Sequence, residues 1–387
     1  MRILTINSGS SSIKFSVYGF PGDQLELSGE LARIGQHGGA FRVKNPKGEP
    51  LLDEKPELPD HAAAFKLLLA WLGGRDKPDA IGHRIVHGGP DYRDPDIITP
   101  EVIRKLRELI PLAPNHLPRE IEAIESIARA YPNSPQVACF DTAFHRGMPE
   151  VAQVYALPES VREDGIVLRY GFHGLSYEYI AGELDQFGAS KGRAIVCHLG
   201  NGASMAALRD GRSIDTTMGF TPTGGLVMST RCGDIDPEVI LYLIEEMKMD
   251  PKAARDAITR HGGLLGLSAA SADMQDLHRR EQDDPKAALA VALFCYNARK
   301  ALGALAAVLC GLDTVVFTGG IGENDVAVRR RICDGFEFLG IQLDRARNQA
   351  SAPVISVEGA PVTVRVMRTN EELTIARHAA RLIANKP

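Results

Sequence analysis

The sequence predicts an α/β protein built from two domains, and three observations support this prediction. The chain has 387 residues, which is too long for one ordinary hydrophobic core. Short apolar strand patterns bounded by glycine-rich turns alternate with amphipathic helical patterns along most of its length, as in an open α/β sheet. A strand–turn–strand segment with a small, polar turn also occurs twice, once in each half of the chain.

The first of these segments is the start of the chain. Residues 3–6 and 13–17 are short runs typical of strands, and the string NSGSSSIK connects them. Hydroxyls and backbone N–H groups in a turn containing Gly9 can bind phosphate oxygens, and Lys14 adds a positive charge. Asn7, at the strand end, is placed to hold a phosphate oxygen or a metal-bound water. An ordinary polar hairpin turn is the alternative.

The composition excludes several classes of partner. The net charge is −5 and the sequence pI is about 6.1, which argues against non-specific binding to nucleic acid or to anionic membranes. Too few apolar residues precede NSGSSS for a secretory signal, and the six cysteines show no paired spacing. We therefore expect a cytoplasmic protein with reduced cysteines.

The remaining elements follow from periodicity. Residues 24–52 alternate loosely and predict further antiparallel strands, and 80–89, 137–145 and 362–367 predict three more strands. Apolar periodicity, with proline near several starts, predicts helices at residues 62–72, 99–109, 119–131, 237–247, 251–261 and 285–309.

Two charged residues belong to the predicted strands at 80–89 and 137–145. Arg84 lies inside an apolar strand, where an arginine needs a carboxylate or phosphate partner; an internal salt bridge and a substrate contact are equally consistent with its position. Asp141 follows the apolar run of its strand, a typical catalytic position in an open α/β sheet, although a cap of the next turn would explain it as well.

The second strand–turn–strand segment, at residues 194–211, strengthens the phosphate interpretation. Its turn reads GNGAS, and two such turns predict a duplicated architecture that grips a nucleotide between domains. A long glycine-rich loop follows at 215–237, and loops of this length in compact proteins are usually functional. Arg231 and Pro222 are among its notable residues. At 314–324 we expect a strand, a glycine turn, and a helix opened by Glu323 and Asn324.

The terminal helix begins after residue 369 or 370, where Thr369 or Asn370 serves as its cap. Glu371 falls in its first turn. Favourable interaction with the helix dipole explains this glutamate, and a metal contact is the alternative.

These motifs resemble those of the acetate kinase family. The strings occur in family order and span nearly the whole chain: NSGSSSIK, GHRIVHGG, FDTAFH, YGFHG, HLGNGAS, MGFTP, TRCGDIDP, FTGGIGEN and TNEEL. The resemblance implies two ribonuclease-H-like (actin-like ATPase) domains with a nucleotide cleft between them. Residues 1–145 and 369–387 would form the N-terminal lobe, and residues 146–368 the nucleotide-binding lobe.

The implied reaction moves the γ-phosphoryl of ATP to acetate and gives acetyl phosphate and ADP, reversibly. The resemblance also implies Mg²⁺, with Mn²⁺ as a substitute, and a cytoplasmic homodimer with no nucleic-acid or membrane partner. Within the same fold, a kinase of propionate or another short acid is the first alternative. A sugar kinase and a nucleotide-gated actin-like binding protein are weaker ones, because Arg84 and His173 favour an anionic acceptor and no extra partner-binding domain is evident.

The resemblance assigns roles to individual residues. Asn7 and Glu371 match the magnesium site. The catalytic set comprises Arg84, His116, Asp141, His173 and Arg231. Arg84 also holds the acid, with Val86, Phe172 and Pro222 around its alkyl group. The nucleotide contacts are Ser10, Ser12, Lys14, His198, Leu199, Gly200, Asn201, Gly202, Asp273, Met274, Gln275, Gly320, Ile321, Gly322, Glu323 and Asn324.

Four departures from the family pattern bear on specificity. A pocket leucine is replaced by Asn115, so the acid pocket either becomes more polar or is filled by Leu117 after a shift of the loop. The family's TPLEG reads Thr221-Pro222-Thr223-Gly224-Gly225, and Cys232 replaces a serine. Gln275 replaces an arginine on the nucleotide side. These departures leave the preferred acid and the phosphoryl donor open.

Overall fold

Contacts within the chain define two compact units. The computed structural model describes residues 1–9, 11–189 and 191–384. Unit 1 comprises Met1–Phe144, Gly174–Tyr179 and the segment from Asn370 onward, and unit 2 comprises His145–His173 and Ile180–Thr369. The family resemblance places residues 174–179 in the second lobe, whereas contacts in the structure group Gly174–Tyr179 with unit 1.

Unit 1 is built on a mixed sheet. Its described residues form eight strands in the order β5-β4-β3-β2-β1-β6-β8-β7. Pairing is antiparallel from β5 to β1, parallel from β1 through β6 to β8, and antiparallel between β8 and β7. The strands are β1 (Arg2–Ser8), β2 (Ser12–Gly19), β3 (Gln24–Ala32), β4 (Ala40–Lys44), β5 (Pro50–Glu54), β6 (Ala80–Ile85), β7 (Asp96–Ile97) and β8 (Gln136–Phe140).

The predicted N-terminal hairpin and the antiparallel strands after it are confirmed. β1 and β2 pair so that Asn7 lies opposite Lys14. All residues of β1 after Arg2 are buried, because helices cover both faces of the sheet at this strand.

The helices of unit 1 pack on opposite faces of this sheet. They are α1 (His61–Leu72), α2 (Pro100–Glu108), α3 (Leu117–Ala130) and α15 (Glu371–Ala384), and Gly174–Tyr179 begins α6 (Gly174–Gln186). One core contains apolar residues of α1, α3 and strands β1–β4, and another contains residues of α15 with β1, β6 and β8. Leu117 belongs to a third core with Ile85, Tyr92 and Val102, so its side chain contributes to the packing of α2 and α3.

Unit 2 contains a five-stranded sheet among its described residues, in the order β11-β10-β9-β12-β13. The strands are β9 (Arg193–Leu199), β10 (Ala203–Arg209), β11 (Arg212–Thr216), β12 (Thr314–Thr318) and β13 (Thr363–Val366). β9, β10 and β11 form an antiparallel meander, and β12 and β13 continue in parallel from β9. The second predicted strand–turn–strand segment is therefore confirmed.

Several helices of unit 2 have no strong signal in the local sequence. Their bounds are α4 (Glu150–Gln153), α5 (Glu159–Arg162), α7 (Pro237–Glu245), α8 (Pro251–Thr259), α9 (Gly263–Ser268), α10 (Met274–Arg280), α11 (Pro285–Val308), α12 (Gly319–Asn324), α13 (Val326–Cys333) and α14 (Arg345–Gln349). By length and composition α11 alone among the described residues could cross a membrane. It packs against α9, α10 and α13 and against β9–β11, as a core helix of a globular domain does.

The prediction of a glycine turn after β12 is wrong. The helix α12 begins at Gly319 and ends at Asn324, so Glu323 and Asn324 close a helix that the glycines open. Gly319 has φ +77°, and a Cβ there would lie 2.8 Å from the carbonyl oxygen of Leu199. The absence of a side chain therefore lets the chain turn into a helix directly against β9.

Candidate active site

Arg84 and Asp141 form the centre of a buried polar cluster in unit 1. The two residues come from neighbouring parallel strands, since Arg84 pairs with Cys139 and Asp141 follows the end of β8. Asp141 Oδ2 accepts hydrogen bonds from Arg84 Nε at 3.0 Å and from Nη2 at 2.5 Å. Arg84 Nη1 donates to Asn7 Oδ1 at 3.1 Å. The internal salt bridge left open by the sequence is thus present.

The charges around Arg84 keep it protonated. Burial lowers the pKa of its guanidinium, but the negative charges of Asp141 and then Glu371 outweigh burial and raise that pKa above its ordinary value. Asp141 is fully buried. Two carboxylates therefore surround a single fixed cation, a stable arrangement only if each charge is paired.

The predicted metal ligands Asn7 and Glu371 are in contact. Asn7 Nδ2 donates to Glu371 Oε2 at 3.3 Å and to Glu372 Oε1 at 3.4 Å. Asn370 Oδ1 accepts from the N–H of Leu373 at 3.0 Å, so Asn370 caps α15 and brings both glutamates to β1. Burial, then the charge of Glu371, raises the pKa of Glu372, and Lys14 opposes this.

The hairpin turn beside Asn7 has a hydroxyl that the protein does not satisfy. Ser8 Oγ is buried and has no hydrogen-bond partner among the described residues. The carbonyl of Gly9 accepts from His61 Nε2 at 2.9 Å, and the Gly9 N–H donates to the Ser12 carbonyl at 2.8 Å. Ser10, a predicted phosphate contact, lies outside the described residues.

Sequence reasoning missed the residue that connects Val86 with His116: the N–H of Glu120 donates to the His116 carbonyl at 3.2 Å. Val86 follows β6 and is buried, and His116 immediately precedes α3. Glu120, in the first turn of α3, accepts the Val86 N–H with both carboxylate oxygens, at 3.2 and 3.3 Å. The sequence does indicate that Glu120 is buried, because it falls on the apolar stripe that continues through Ile124 and Ile127.

In unit 2, His173 lies beside the glycine turn of β9 and β10. Its backbone is left-handed, with φ +59°, and it immediately precedes α6. Its Nδ1 is 2.8 Å from Ser204 Oγ, and its ring stacks on His198 with a centroid distance of 4.3 Å. A Cβ at Gly202 would lie 3.0 Å from His173 Nε2 and 3.7 Å from Arg231 Nη1. The glycine therefore leaves space where the two side chains converge.

The loop between β11 and α7 positions Arg231. Arg231 Nη1 donates to the Pro222 carbonyl at 3.0 Å. Ser229 bonds to Asn201 through its N–H, at 3.2 Å to the carbonyl, and through Oγ, at 3.3 Å to Oδ1. The long glycine-rich loop is thus fastened to the turn that contains Gly200, Asn201 and Gly202.

Phe172 is held by a buried histidine of unit 2. His145 Nε2 donates to the Phe172 carbonyl at 3.0 Å, so its Nδ1 accepts from Ser213 Oγ at 2.8 Å. Burial lowers the pKa of His145 to about 4. The imidazole is therefore neutral at physiological pH and acts as a fixed support.

Two of the predicted nucleotide-binding segments of unit 2 lie at the starts of helices α12 and α10. Glu323 Oε1 accepts from the N–H of Gly319 at 3.0 Å and of Thr369 at 3.3 Å. Asp273 caps α10 by accepting from the Asp276 N–H at 2.9 Å. The side chain of Met274 is buried in the core, and Gln275 is exposed. Leu199 is buried at the end of β9, and α12 contains Gly320, Ile321 and Gly322.

These features define a class of protein. Each unit extends an antiparallel strand–turn–strand with parallel strands, which is the two-domain actin-like ATPase fold found in acetate and propionate kinases. The sequence profile of the Acetokinase family matches residues 2–377. The chain therefore belongs to the acetokinase family.

Individual relatives agree over full length. An acetate kinase of Rhodopseudomonas palustris is 46% identical over 98% of both chains, and one of Caldicellulosiruptor bescii is 41% identical over 99% of this chain and all of the other. The crystal structure of Porphyromonas gingivalis acetate kinase superposes with a TM-score of 0.87 at 36% identity, covering 99% of each chain. That of a Francisella tularensis propionate kinase gives 0.91 at 34% identity, covering 98% and 99%.

Proposed function

We propose that this chain catalyses the reversible transfer of the γ-phosphoryl group of ATP to acetate, which gives acetyl phosphate and ADP. Membership of the acetokinase family and full-length relatives named acetate kinase support the proposal. The observation that carries it is the Arg84–Asp141 pair, because it places a permanently charged guanidinium at the carboxyl ends of adjacent parallel strands.

The acid is held and aligned by its own charge and shape. Arg84 binds its carboxylate, and Val86, Phe172 and Pro222 contact its methyl group. A carboxylate is already ionised at neutral pH, so its oxygen attacks the γ-phosphorus without a general base while the bond from that phosphorus to the bridging oxygen of ADP breaks. Asp141 therefore acts as a positioning group that fixes the orientation of Arg84.

The transferring phosphoryl group carries negative charge on its equatorial oxygens, and cations or hydrogen-bond donors aimed at them provide most of the catalysis. Arg231 and His173, which converge beside Gly202, are proposed to have this role. His116 is proposed as a further active-site donor.

The nucleotide is assigned to the two glycine-rich turns and to neighbouring helix starts. Ser10, Ser12 and Lys14 contact phosphate oxygens. In unit 2, the His198–Gly202 turn and helix α12 contact the remainder of ATP, together with Asp273, Met274 and Gln275. Because the Met274 side chain is buried, we assign its contact to the backbone.

The residues present fit Mg²⁺, which family membership implies. Glu371 and Glu372 supply carboxylate oxygens that accept from Asn7 Nδ2. Asn7 Oδ1 is a further oxygen of this cluster, and the Ser8 hydroxyl is buried without a partner among the described residues. Among the described residues no group of three or more His, Cys, Asp or Glu is arranged to hold a metal, in keeping with an ion bound through few protein ligands, water and phosphates. When bound, Mg²⁺ neutralises charge on the phosphate oxygens.

The location, oligomeric state and metal use of the enzyme are part of this proposal. We infer a cytoplasmic homodimer that accepts Mn²⁺ in place of Mg²⁺ and has no nucleic-acid or membrane partner. The negative net charge and family membership support this.

The test is a hydroxamate assay for acyl phosphate with ATP, Mg²⁺ and acetate, propionate or butyrate in parallel. We expect acetate to give the highest kcat/KM. Arg84→Ala is the matched control for the acid site and should raise the KM for acetate much more than the KM for ATP. A clear preference for propionate would show that Asn115 and the Thr223-Gly224 loop have reshaped the pocket. Absence of acyl phosphate with every acid would overturn the proposal.

A further inference from the structure

We propose that Glu120 is a positioning residue that couples binding of the acid to a proton: its neutral form supports the carboxylate site of Arg84 and Val86, and its ionised form weakens it. This inference rests on the proposed function, because it takes a short carboxylate as the ligand of Arg84. It is carried by the placement of a buried carboxyl group against the backbone of the acid-binding segment.

Glu120 is inside the protein because of helical phase. It lies in the first turn of α3, three residues after Leu117 and one before Ile121, and it is 2% exposed. Residues three and four apart share one face of a helix, so the stripe that packs α3 on the sheet carries Glu120 with it. A glutamate on such a stripe is rarely buried unless something in the interior satisfies it.

The partner is the backbone of the segment that follows β6. Both oxygens of Glu120 accept the Val86 N–H, at 3.2 and 3.3 Å. Val86 is two residues from Arg84, which bonds to Asp141 and Asn7. Glu120 therefore fixes the backbone that carries both Arg84, which is proposed to bind the carboxylate of the acid, and Val86, which is proposed to contact its alkyl group.

The charged groups that act on Glu120 come from the other elements packed here. They are Arg84 of β6, which favours the ionised form, and Asp141 after β8, which opposes it. Glu371 of α15 acts on Arg84 in turn. On α3 itself, the neighbouring charges Arg119 and Glu122 line a separate surface pocket. The titratable neighbours in sequence are His87, after Val86, and His116, before α3.

Burial is the largest influence on this carboxyl group. It raises the pKa of Glu120 to about 8, with Asp141 adding to the rise and Arg84 and the Val86 N–H opposing it. Glu120 is therefore mostly neutral at pH 7 and ionises under mildly alkaline conditions.

Ionisation of Glu120 changes the charge balance of the acid site. Arg84 already serves Asp141 and Glu371, so an ionised Glu120 adds a third carboxylate near one guanidinium, and the bound acid would be a fourth. Repulsion at short range in a buried site is strong. Bound acid therefore raises the pKa of Glu120 still further, and by linkage the apparent affinity for the acid is constant below about pH 8 and falls above it, by up to about tenfold per pH unit.

The first experiment measures the KM for acetate between pH 6.5 and 9.5, at saturating ATP and Mg²⁺, from initial rates of ADP release. The variants are Glu120→Gln, which keeps an oxygen acceptor for Val86 but does not ionise, and Glu122→Gln, which removes the same charge from the same helix. We expect the KM of the wild type and of Glu122→Gln to rise above pH 8 and that of Glu120→Gln to stay level. Parallel rises in all three proteins would overturn the proposal.

A second variant distinguishes proton coupling by Glu120 from a purely structural role of this residue. Glu120→Asp keeps the ionisable group but shortens it, so the bond to Val86 should be weakened at every pH. We expect a raised KM for acetate with the pH dependence retained, and a smaller change in kcat. Loss of kcat and thermal stability in Glu120→Asp, with a KM for acetate that no longer rises at alkaline pH, would contradict proton coupling.

A binding measurement makes failure of this inference distinguishable from failure of the proposed function. Calorimetric titration of the full chain with acetate near pH 8, in two buffers of different ionisation enthalpy, counts the protons taken up on binding. We expect uptake by the wild type and by Glu122→Gln and none by Glu120→Gln. Acetyl phosphate formation without uptake would retain the function and reject the role of Glu120. Uptake without acetyl phosphate formation would retain the role of Glu120 and reject the function.

Discussion

At the scale of single residues, the polar groups of the candidate site are supported from behind by side chains to which no substrate contact is assigned. His145 holds the carbonyl of Phe172, Ser204 bonds to the ring of His173, and Glu120 holds the N–H of Val86. Catalytic groups need such support because small displacements reduce their effect on the transition state. Substitutions one contact away from the chemistry are thus expected to alter catalysis.

Arg231 offers the sharpest test at this scale. Its guanidinium is held by the Pro222 carbonyl and lies near the space left by Gly202. We expect Arg231→Ala to lower kcat by about a thousandfold, by analogy with arginines that stabilise phosphoryl transfer elsewhere, with a much smaller change in the KM for acetate. Arg212→Ala, which removes an exposed arginine of β11, is the control and should be neutral. A loss of less than tenfold would remove Arg231 from the transition state.

Local sequence predicted only some of these residues. Arg84 and Asp141 could be selected because a charge in or after an apolar strand is unusual. The support residues Ser204 and Ser213 have no such signal, since a serine in a strand is unremarkable until its partner is known. Glu120 was missed because its acidic character suited a solvent-exposed first helical turn, although its phase on α3 indicated the interior.

At the scale of elements, α15 completes the site of unit 1. It packs on β6, β1 and β8 and carries Glu371 and Glu372 to Asn7. The close approach depends on Gly82 of β6, where a Cβ would lie 2.4 Å from Ile375 Cγ2 and 3.2 Å from the Ile375 carbonyl oxygen. The position of both glutamates is therefore linked to a strand residue that has no side chain.

Gly82→Ala should separate α15 from the sheet. We expect a loss of about 1 to 3 kcal/mol of unfolding free energy, the usual effect of overpacking a filled interior, and lower acetyl phosphate formation by the protein that remains folded. Thermal unfolding and the hydroxamate assay measure the two effects. Gly74→Ala is the control, because a Cβ there meets nothing within 4 Å. Equal melting temperatures for the two variants would show that α15 is not packed as tightly as described.

Elements with strong local signals were predicted well. The two hairpins and the proline-initiated helices α2, α7, α8 and α11 follow from alternation, turn residues and caps. Helix α12 could not be predicted in this way. Three of its first five residues are glycines and one is isoleucine, and neither type has a strong helix propensity. Its start also depends on Gly319 lying against Leu199 of β9, a tertiary contact that local sequence does not contain.

At the scale of the whole molecule, buried titratable groups in both units determine how stability depends on pH. His83, in unit 1, and His145, in unit 2, are buried, and burial lowers the pKa of each to about 4. Their folded pKa lies below the unfolded value of 6.5, so the unfolded chain binds more protons and stability is lost as pH falls from about 6.5 to 4. The raised pKa of Glu120, about 8, acts in the opposite direction and removes stability as pH rises toward 8.

We therefore expect the wild type to be most stable near pH 6.5. Below pH 6.5 the two extra protons bound by the histidines of the unfolded chain outnumber the one extra proton held by Glu120 of the folded chain. Above pH 6.5 Glu120 acts alone among these three groups. Each proton of difference between the two states changes the unfolding free energy by about 1.4 kcal/mol per pH unit. Melting temperatures at pH 5, 6.5 and 8 measure the profile. Glu120→Gln should remove the decline between pH 6.5 and 8 and make the loss of stability below pH 6.5 steeper, because nothing then opposes the two histidines. A profile of Glu120→Gln that parallels the wild type throughout would show that Glu120 is not neutral in the folded state.

The return of the chain to unit 1 has a consequence for how the protein is made. A ribosome synthesises β1–β8 first, yet the helix carrying Glu371 is encoded after all of unit 2. At usual elongation rates of about 5 to 20 residues per second, the interval between residues 145 and 370 lasts roughly 10 to 45 seconds. Throughout that time the faces of β1, β6 and β8 that α15 covers are open to nascent-chain chaperones. A transcript cut short before Asn370 would yield a chain that has both glycine-rich turns but lacks Glu371 and Glu372, which accept from Asn7.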